Sequence, residues 1–393
     1  MQDLSELQTL LKHYLNVPLS ELPFALQKYP TSLRTLLMQQ IEGRRKIQNK
    51  VPHWYENYAL VFPPALNLEQ SSSEKTAFFK AQLLSGNTIL DLTGGFGVDT
   101  WAFAQKFKKV WYVEKNPDLF QIVRQNFEAM QLNNVSLHNA EAQHFLQNFS
   151  EAVDYIYLDP ARRNLQGKSI AQITETEPNI LQLLPLLFDK TEKILLKTSP
   201  MFEIKEALKI LPNVAGVYVV SVQNECKEVL YLLEKNFCSE WQNIPIYTYN
   251  LLENNSQIFT STFAEESKAN VHLAPLVQEY LYEPNSSILK AGFFRSIAEK
   301  FNLYKLHSNS HLYTQGKLLE NFSGRVFRIK KVLQNPQKEL PEMGSVFNII
   351  ARNYPLSVSE ICKKYKIKEG GKDFLIATTL ASNQKAIIWA EKL

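Results

Sequence analysis

Cysteine is scarce in this chain of 393 residues, which contains only Cys226, Cys238 and Cys362. The three form no CxxC pair, and none of them lies in a cluster with histidine. With only three cysteines and no such pair or cluster, the sequence excludes both a disulfide framework and a structural zinc site. The seven histidines show no metal-ligand spacing either, so the sequence predicts no metal site.

Long hydrophobic runs are also missing. The apolar stretches have the length of strands, as in Val217 to Val222, whereas a helix that crosses a bilayer needs about 20 apolar residues. Residues 1–6 are acidic and lack the basic-then-apolar order of a signal peptide. We therefore expect a soluble, cytoplasmic protein that has no membrane partner.

Acidic residues are few in the last part of the chain. The whole sequence has a net charge of +4, but residues 323–393 contain 13 Lys and Arg against 6 Asp and Glu. A basic segment of this kind attracts polyanions such as RNA. A lysine-rich surface that is simply exposed to water has the same composition, so charge alone leaves both interpretations open.

Two kinds of hydrophobic pattern divide the chain. Residues 4–15 and 33–41 carry leucines at helical spacing, and an N-cap pattern at Ser73 begins a further helix. From Thr88 short apolar strands alternate with helices, which predicts an α/β fold with a parallel, doubly wound sheet. The predicted strands are residues 88–92, 109–114, 135–139, 153–159, 193–197, 216–221 and 228–233. A β-rich stretch from Ile244, a helix near residues 288–301 and a final α/β segment follow.

Three of the predicted strands end in an acidic residue. Asp91 begins the glycine turn DLTGGFG, Glu114 ends the second strand, and Asp159 ends the fourth. Ligands of doubly wound sheets bind at the carboxyl ends of the strands, where a carboxylate can accept both hydroxyls of a ribose. The GxGxxG pattern of dinucleotide-binding enzymes is incomplete, because Thr100 stands at the position of its third glycine.

Together, the glycine turn and the two later acids resemble the motifs of class I S-adenosylmethionine-dependent methyltransferases. Residues 91–97 are similar to the first motif of that family, with Thr93 where its first glycine usually stands. The resemblance implies a Rossmann-like sheet over about residues 75–235 and S-adenosylmethionine as the cofactor. The cofactor-binding residues that it implies are Asp91, Thr93, Gly94, Gly95, Gly97, Glu114, Asn139 and Glu141.

Five short segments resemble a bacterial group within these methyltransferases, namely residues 73–77, 91–100, 159–163, 198–201 and 224–228. Members of this group carry a ferredoxin-like segment and a C-terminal THUMP-like domain. The implied organisation is a helical region (1–72), the methyltransferase domain (73–236), a β-rich connector (237–322) and a basic THUMP-like α+β domain (323–393). The ferredoxin-like segment would occupy about residues 280–322. THUMP domains accompany RNA-modifying enzymes, so the resemblance implies rRNA or tRNA as the partner.

The segment Asp159-Pro160-Ala161-Arg162 stands where nucleic-acid methyltransferases carry an Asp/Asn-Pro-Pro-aromatic motif. In those enzymes the acid and the proline carbonyl accept hydrogen bonds from the target amino group. The resemblance therefore implies catalytic roles for Asp159, Pro160 and Arg162. Arg162 replaces the aromatic residue, and its guanidinium plane can also stack on a base.

The same segment also resembles RNA 5-methyluridine methyltransferases, which need a cysteine nucleophile on the next strand. The matching turn here is Lys197-Thr198-Ser199-Pro200 and contains no cysteine. Cys226 lies one strand further on and is more typical of a buried thiol. We therefore expect methyl transfer to a nitrogen or an oxygen.

Several cations are candidates for contacts with the substrate. Arg163 can hold a phosphate or cap nearby carbonyls, and Lys197 can face the pocket or pair with Asp159. Arg44, Arg45 and Lys46 form a basic cluster that would bind RNA or lie on an exposed helix face. A second basic run, with Tyr365 as a stacking surface, consists of Lys363, Lys364, Lys366 and Lys368.

The leading hypothesis is therefore a methyltransferase that uses S-adenosylmethionine and acts on RNA. The alternatives are a small-molecule or protein methyltransferase and a degenerate RNA-binding module without activity. The presence of Asp91, Glu114 and Asp159 together favours an active site over a degenerate one. A nicotinamide-dependent oxidoreductase is disfavoured by Thr100.

Overall fold

The N-terminal region is helical, as its leucine pattern predicts. Its helices pack around a core that includes Leu11, Leu37 and Ile41. The helices are α1 (Leu4–Tyr14), α2 (Leu22–Ala25), α3 (Thr31–Ile47), α4 (Pro52–Glu56) and α5 (Ala65–Gln70). The computed structural model describes residues 4–162 and 176–393. Within these residues, no helix combines the length and the apolar character that crossing a membrane requires.

The chain divides into two structural units, and the first contains this helical region and a parallel sheet. This unit comprises residues 1–214 and 230–238. Ser73 caps α6, since its side chain accepts a hydrogen bond from the Thr76 amide. Strands and helices then alternate: α6 (Glu74–Leu83), β1 (Thr88–Asp91), α7 (Val98–Ala104), β2 (Lys109–Glu114), α8 (Pro117–Ala129), β3 (Val135–Asn139), α9 (Ala142–Asn148), β4 (Tyr155–Leu158), β5 (Ala161–Arg162), β6 (Thr176–Glu177), α10 (Ile180–Phe188), β7 (Lys193–Thr198) and α11 (Ile204–Ile210).

The strand order in this unit places the acidic strand ends next to one another. The order is β7-β4-β1-β2-β3, and each neighbouring pair is parallel. Asp91 is the register partner of Tyr112 on β2 and of Tyr157 on β4. Because β1 lies between β2 and β4, the segments that follow all three strands meet at one edge of the sheet. The predicted α/β fold with a Rossmann-like sheet is confirmed.

The second unit comprises residues 215–229 and 239–393. A boundary between the two units therefore falls within β8 (Val214–Val222) and another within β9 (Glu225–Glu234). Its β10 (Ile246–Leu251) is parallel to β8 and antiparallel to β11 (Ser256–Ser261). A second sheet has the order β12-β14-β15-β13-β16-β19-β18-β17. The remaining elements are α12 (Phe263–Lys268), β12 (His272–Leu273), β13 (Tyr280–Pro284), α13 (Ser286–Ala291), α14 (Ser296–Lys300), β14 (Tyr304–Lys305), β15 (Tyr313–Gln315), β16 (Gly324–Val332), α15 (Pro336–Met343), β17 (Val346–Arg352), α16 (Val358–Tyr365), β18 (Lys368–Thr379) and β19 (Lys385–Lys392).

One sheet joins the segments on either side of residue 323. Strand β13 pairs with β16, with Leu281 opposite Phe327. The side chain of Glu283 on β13 is only 2% exposed and forms ion pairs with Arg325 and Arg352. A chain shortened to residue 322 would lose both cations and leave this buried carboxylate uncompensated, so the C-terminal segment is better tested by point substitutions.

Candidate active site

The glycine turn after β1 packs directly against β2. A Cβ atom at Gly94 would lie 2.1 Å from the Tyr112 ring, so any side chain there is excluded. Gly97 has a φ of 83° and leads into α7, where a Cβ would lie 2.8 Å from Phe127. The Tyr112 hydroxyl donates to the Gly95 carbonyl over 2.7 Å. The backbone of the turn is therefore held close to the sheet edge, where it can contact a ligand bound there.

Glu114 lies beside this turn. Its Oε2 accepts a hydrogen bond from the Gly95 amide at 3.0 Å, and its Oε1 accepts one from the Asn116 amide at 2.7 Å. The Asn139 side chain donates to the Glu114 carbonyl over 2.7 Å. Glu141 is exposed just before α9. The structure thus brings Glu114, Gly95 and Asn139 together at the ends of β1, β2 and β3.

Asp91 is fully buried and holds the turn from inside. It accepts hydrogen bonds from the Thr93 amide at 3.1 Å and from the Thr100 hydroxyl at 2.6 Å. Thr100 therefore has a structural role at the position where dinucleotide-binding enzymes have their third glycine. These direct contacts show that Asp91 fixes the turn. Burial raises the pKa of Asp91 to about 8, although the bond from Thr100 opposes this effect.

The buried carboxyl of Asp91 should make stability depend on pH. Between about pH 4 and pH 8 the folded protein holds a proton on Asp91 that the unfolded chain has lost, so unfolding free energy falls as pH rises. Relative to Asp91→Asn, the wild type should lose up to about 1.4 kcal/mol for each pH unit over this range and no more above it. Urea unfolding of both proteins at pH 5, 6, 7, 8 and 9 measures this. A difference that stays constant with pH would contradict it.

Asp159 follows β4 at the same edge and pairs with Lys197 at the end of β7. The Lys197 ammonium contacts Oδ2 of Asp159, and the two side chains are 12% and 31% exposed. Among the described residues, none donates a hydrogen bond to the other carboxylate oxygen, Oδ1. The Asp159 amide donates to the Thr93 hydroxyl over 2.6 Å. Thr93, the departure from the family's first glycine, thus ties the glycine turn to Asp159.

The other residues of the segment Asp159-Pro160-Ala161-Arg162 are described only in part. Pro160 is buried, and Arg162 lies on β5, where its backbone pairs with Thr176 of β6. The side chain of Arg162 and all of Arg163 lie outside the described residues. Their predicted contacts with a base and with phosphate therefore stay predictions.

A buried charged cluster that no sequence motif indicates includes Tyr157, two residues before Asp159. Lys80 is fully buried on α6, and its ammonium is 3.2 Å from Oδ1 of Asp99 on α7. Oδ2 of Asp99 accepts hydrogen bonds from the Ser72 hydroxyl at 2.7 Å and from the Tyr157 hydroxyl at 2.9 Å. Two charges 19 positions apart on different helices leave no periodic signal in the sequence.

The N-terminal basic cluster does not form an RNA-binding surface. Arg44 is completely buried and donates to backbone carbonyls, including that of Asn57 at 3.1 Å. Arg45 donates to the Leu15 carbonyl over 2.9 Å, and Lys46 pairs with Glu69. These cations connect the helices of the N-terminal region, and the RNA-binding interpretation of the cluster is wrong.

The C-terminal basic run, in contrast, is exposed. Lys363 and Lys364 lie in the last turn of α16, Lys366 caps it, and Lys368 begins β18. Elsewhere in the same segment Arg325, Arg328, Lys330, Lys331 and Arg352 form ion pairs. Within the described part of the chain no acidic side chain pairs with any of the four lysines of the run. Tyr365 packs against the hydrophobic core of this segment, which leaves its ring only partly available for stacking.

A solved structure decides the family. The chain is similar to a protein of Porphyromonas gingivalis W83 that is assigned as a methyltransferase, with 30% identity and a TM-score of 0.88. The similarity covers 99% of this chain and 98% of that one. The chain belongs to this methyltransferase family. The predicted resemblance and the fold class are both confirmed.

Family models match three parts of this methyltransferase-family chain. Residues 71–196 match "conserved hypothetical protein 95", residues 280–322 a ferredoxin-like domain, and residues 324–392 a THUMP domain-like model. These are the ferredoxin-like and THUMP-like segments that the sequence resembles.

Curated relatives match shorter stretches of the chain. It is 29% identical over 115 residues to ribosomal RNA small subunit methyltransferase J of Magnetococcus marinus, covering 26% of this chain and 45% of the relative. It is 31% identical over 90 residues to a probable cobalt-precorrin-6B C(15)-methyltransferase of Sulfurisphaera tokodaii, covering 22% and 47%. The chain spans about half the length of the curated relatives that it matches.

Proposed function

We propose that this chain is an S-adenosylmethionine-dependent methyltransferase that modifies RNA, with a nitrogen or an oxygen as the acceptor. One observation carries the proposal: the glycine turn, Glu114 and Asp159 lie together at the carboxyl ends of adjacent parallel strands. This arrangement supports a nucleoside site beside a carboxylate that orients the acceptor.

The residues at the ends of β1, β2 and β3 fit the cofactor. A carboxylate has about four acceptor positions, so Glu114 can accept two ribose hydroxyls while keeping its bonds from Gly95 and Asn116. The tightly held turn brings backbone close enough to contact the ligand, and Asn139 and Glu141 flank the adenine position. When bound, S-adenosylmethionine supplies a methyl group activated by the positive sulfonium.

Asp159 would orient the acceptor. Methyl transfer requires alignment of the acceptor atom and, for an amine, removal of its proton at some stage. Oδ1 of Asp159 accepts no hydrogen bond from the described residues and belongs to a side chain that is 31% exposed. It is therefore available for an N–H or O–H of the acceptor, and the Pro160 carbonyl offers a second acceptor position for an amino group.

RNA is the acceptor that the second unit supports. The four exposed lysines near the end of α16 present positive charge that is not neutralised by an ion pair within the described residues. The similarity to the Magnetococcus marinus ribosomal RNA methyltransferase and the THUMP-like match agree with RNA as the partner. A small-molecule acceptor is the second candidate, since the Sulfurisphaera tokodaii relative is named for a corrinoid precursor.

Mass spectrometry of nucleosides distinguishes the two candidates. RNA is prepared from a strain lacking this gene and from the same strain carrying the wild type or Asp159→Ala. We expect one methylated nucleoside to be absent from the deletion strain, restored by the wild type and not by the variant. Identical nucleoside profiles in rRNA and tRNA of all strains would refute RNA as the acceptor.

Removing the exposed lysines should weaken RNA binding in a salt-dependent way. In Lys366→Gln/Lys368→Gln, the slope of log K against log salt concentration should fall by about two, because each lost phosphate contact lowers it by about one. The matched control Lys338→Gln/Lys392→Gln removes the same charge from exposed lysines of the same segment. Filter binding to bulk tRNA and rRNA fragments at several salt concentrations measures both. Equal slopes in the two double variants would rule out a specific docking role.

A further inference from the structure

Lys197 lies within the influence of two carboxylates. Its ammonium contacts Oδ2 of Asp159, and its charge also acts on Asp99. Burial raises the pKa of Asp99, but the charges of Lys80 and Lys197 and the hydrogen bonds from Ser72 and Tyr157 outweigh it and lower the pKa. Asp99 is therefore ionised, and its negative charge attracts the Lys197 ammonium.

Asp99 is surrounded by buried partners that pair with it or hydrogen-bond to it. Lys80 is fully buried and contacts both Asp99 and the Ser72 hydroxyl, the latter over 3.3 Å. Tyr157, which donates to Asp99, is almost completely buried on β4, two residues before Asp159. Buried charges keep fixed positions when opposite charges and hydrogen bonds surround them. The charge of Asp99 therefore acts on Lys197 from a fixed position in the core.

We propose that Lys197 is a positioning residue for Asp159. This inference rests on the proposed function, in which Asp159 orients the acceptor. The Lys197 ammonium, which pairs with Asp159 and is attracted by the charge of Asp99, occupies Oδ2 and restricts rotation of the carboxylate. Oδ1 then keeps one orientation toward the acceptor, whereas a carboxylate without this ion pair would rotate. Lys197 acts through Asp159 and touches neither the acceptor nor the cofactor.

The effect should appear in turnover and not in cofactor affinity. In Lys197→Met, we expect kcat for RNA methylation to fall at least about tenfold, because orientation of the reacting group is lost. The dissociation constant of S-adenosylhomocysteine should stay within about twofold of the wild-type value. Lys197→Arg should recover most of kcat, since a guanidinium also pairs with a carboxylate. Lys197→Gln serves as the neutral variant if Lys197→Met does not fold.

Lys193→Met is the matched control. Lys193 lies on the same strand, is 43% exposed and pairs with Glu234 at 3.3 Å. Its removal should leave kcat at the wild-type value. Thermal unfolding of each variant shows whether a loss of activity comes from lost structure.

A double-mutant cycle with Asp159 tests the mechanism itself. If Lys197 acts through Asp159, Lys197→Met should change the residual rate of Asp159→Asn by less than about twofold. A tenfold loss in that background, or wild-type kcat in both Lys197→Met and Lys197→Gln, would overturn the positioning role. If the wild type itself neither binds S-adenosylhomocysteine nor methylates RNA, the proposed function fails. This result differs from the two results that would overturn only the positioning role of Lys197.

Discussion

Replacing Asp159 with alanine should reduce methyl transfer by about a thousandfold while S-adenosylhomocysteine still binds. A positioned acid or base typically contributes between about a hundredfold and ten-thousandfold to the rate. The Asp159 side chain contacts Lys197, whereas the bond to Thr93 uses the backbone amide and survives the substitution. The glycine turn and the cofactor site should therefore keep their geometry. Initial rates with saturating cofactor and RNA, together with calorimetric titration, measure the two effects separately.

Two further variants make this result interpretable. Asp159→Asn keeps the shape of the side chain and one oxygen that can accept a hydrogen bond, but it loses the ion pair with Lys197. It should therefore fold and keep more activity than Asp159→Ala. Asp189→Ala removes an exposed acid at the end of α10 and should keep full activity. Full activity in both Asp159 variants would remove this residue from the catalytic site.

Replacing Glu114 with alanine should weaken S-adenosylhomocysteine binding by at least about tenfold, and more if the turn loosens. Two ribose hydrogen bonds at about 1 kcal/mol each account for that minimum. Glu114 also accepts hydrogen bonds from the amides of Gly95 and Asn116, so its loss removes two anchors of the site as well. Calorimetric titration of the wild type and the variant measures the change in affinity.

Tyr112→Phe distinguishes the ribose contact of Glu114 from its role in holding the glycine turn. It removes the hydroxyl that donates to the Gly95 carbonyl, which loosens the same turn without touching the ribose site. Its affinity should lie between those of the wild type and Glu114→Ala. If Tyr112→Phe binds as weakly as Glu114→Ala, Glu114 acts only by holding the turn, and the ribose contact is wrong.

The meeting of the three acids could be predicted, because neighbouring parallel strands all end at the same edge of the sheet. Once β1, β2 and β4 are recognised as neighbours, the residues that follow them must meet at one edge of the sheet. Asp91, Glu114 and Asp159 therefore come together whatever the details of packing. The role of Thr93 could not be predicted, because its hydrogen bond from the Asp159 amide depends on the distance between two loops.

Charge patterns were a less reliable guide to which side chains are exposed. Arg44 and Arg45 have the composition of an exposed basic cluster, yet their guanidinium groups satisfy backbone carbonyls between helices. Lys80 on α6 is also buried, and it pairs with Asp99 on a different helix. Burial of a charge depends on partners that are distant in sequence, and a single sequence does not show these partners.

Calorimetric titration of the wild-type protein with S-adenosylhomocysteine and, separately, with NAD distinguishes a methyltransferase from a nicotinamide-dependent enzyme. We expect one site for S-adenosylhomocysteine and no measurable heat with NAD, because Thr100 occupies the third glycine position and bonds to Asp91. Binding of NAD that equals or exceeds the binding of S-adenosylhomocysteine would contradict it.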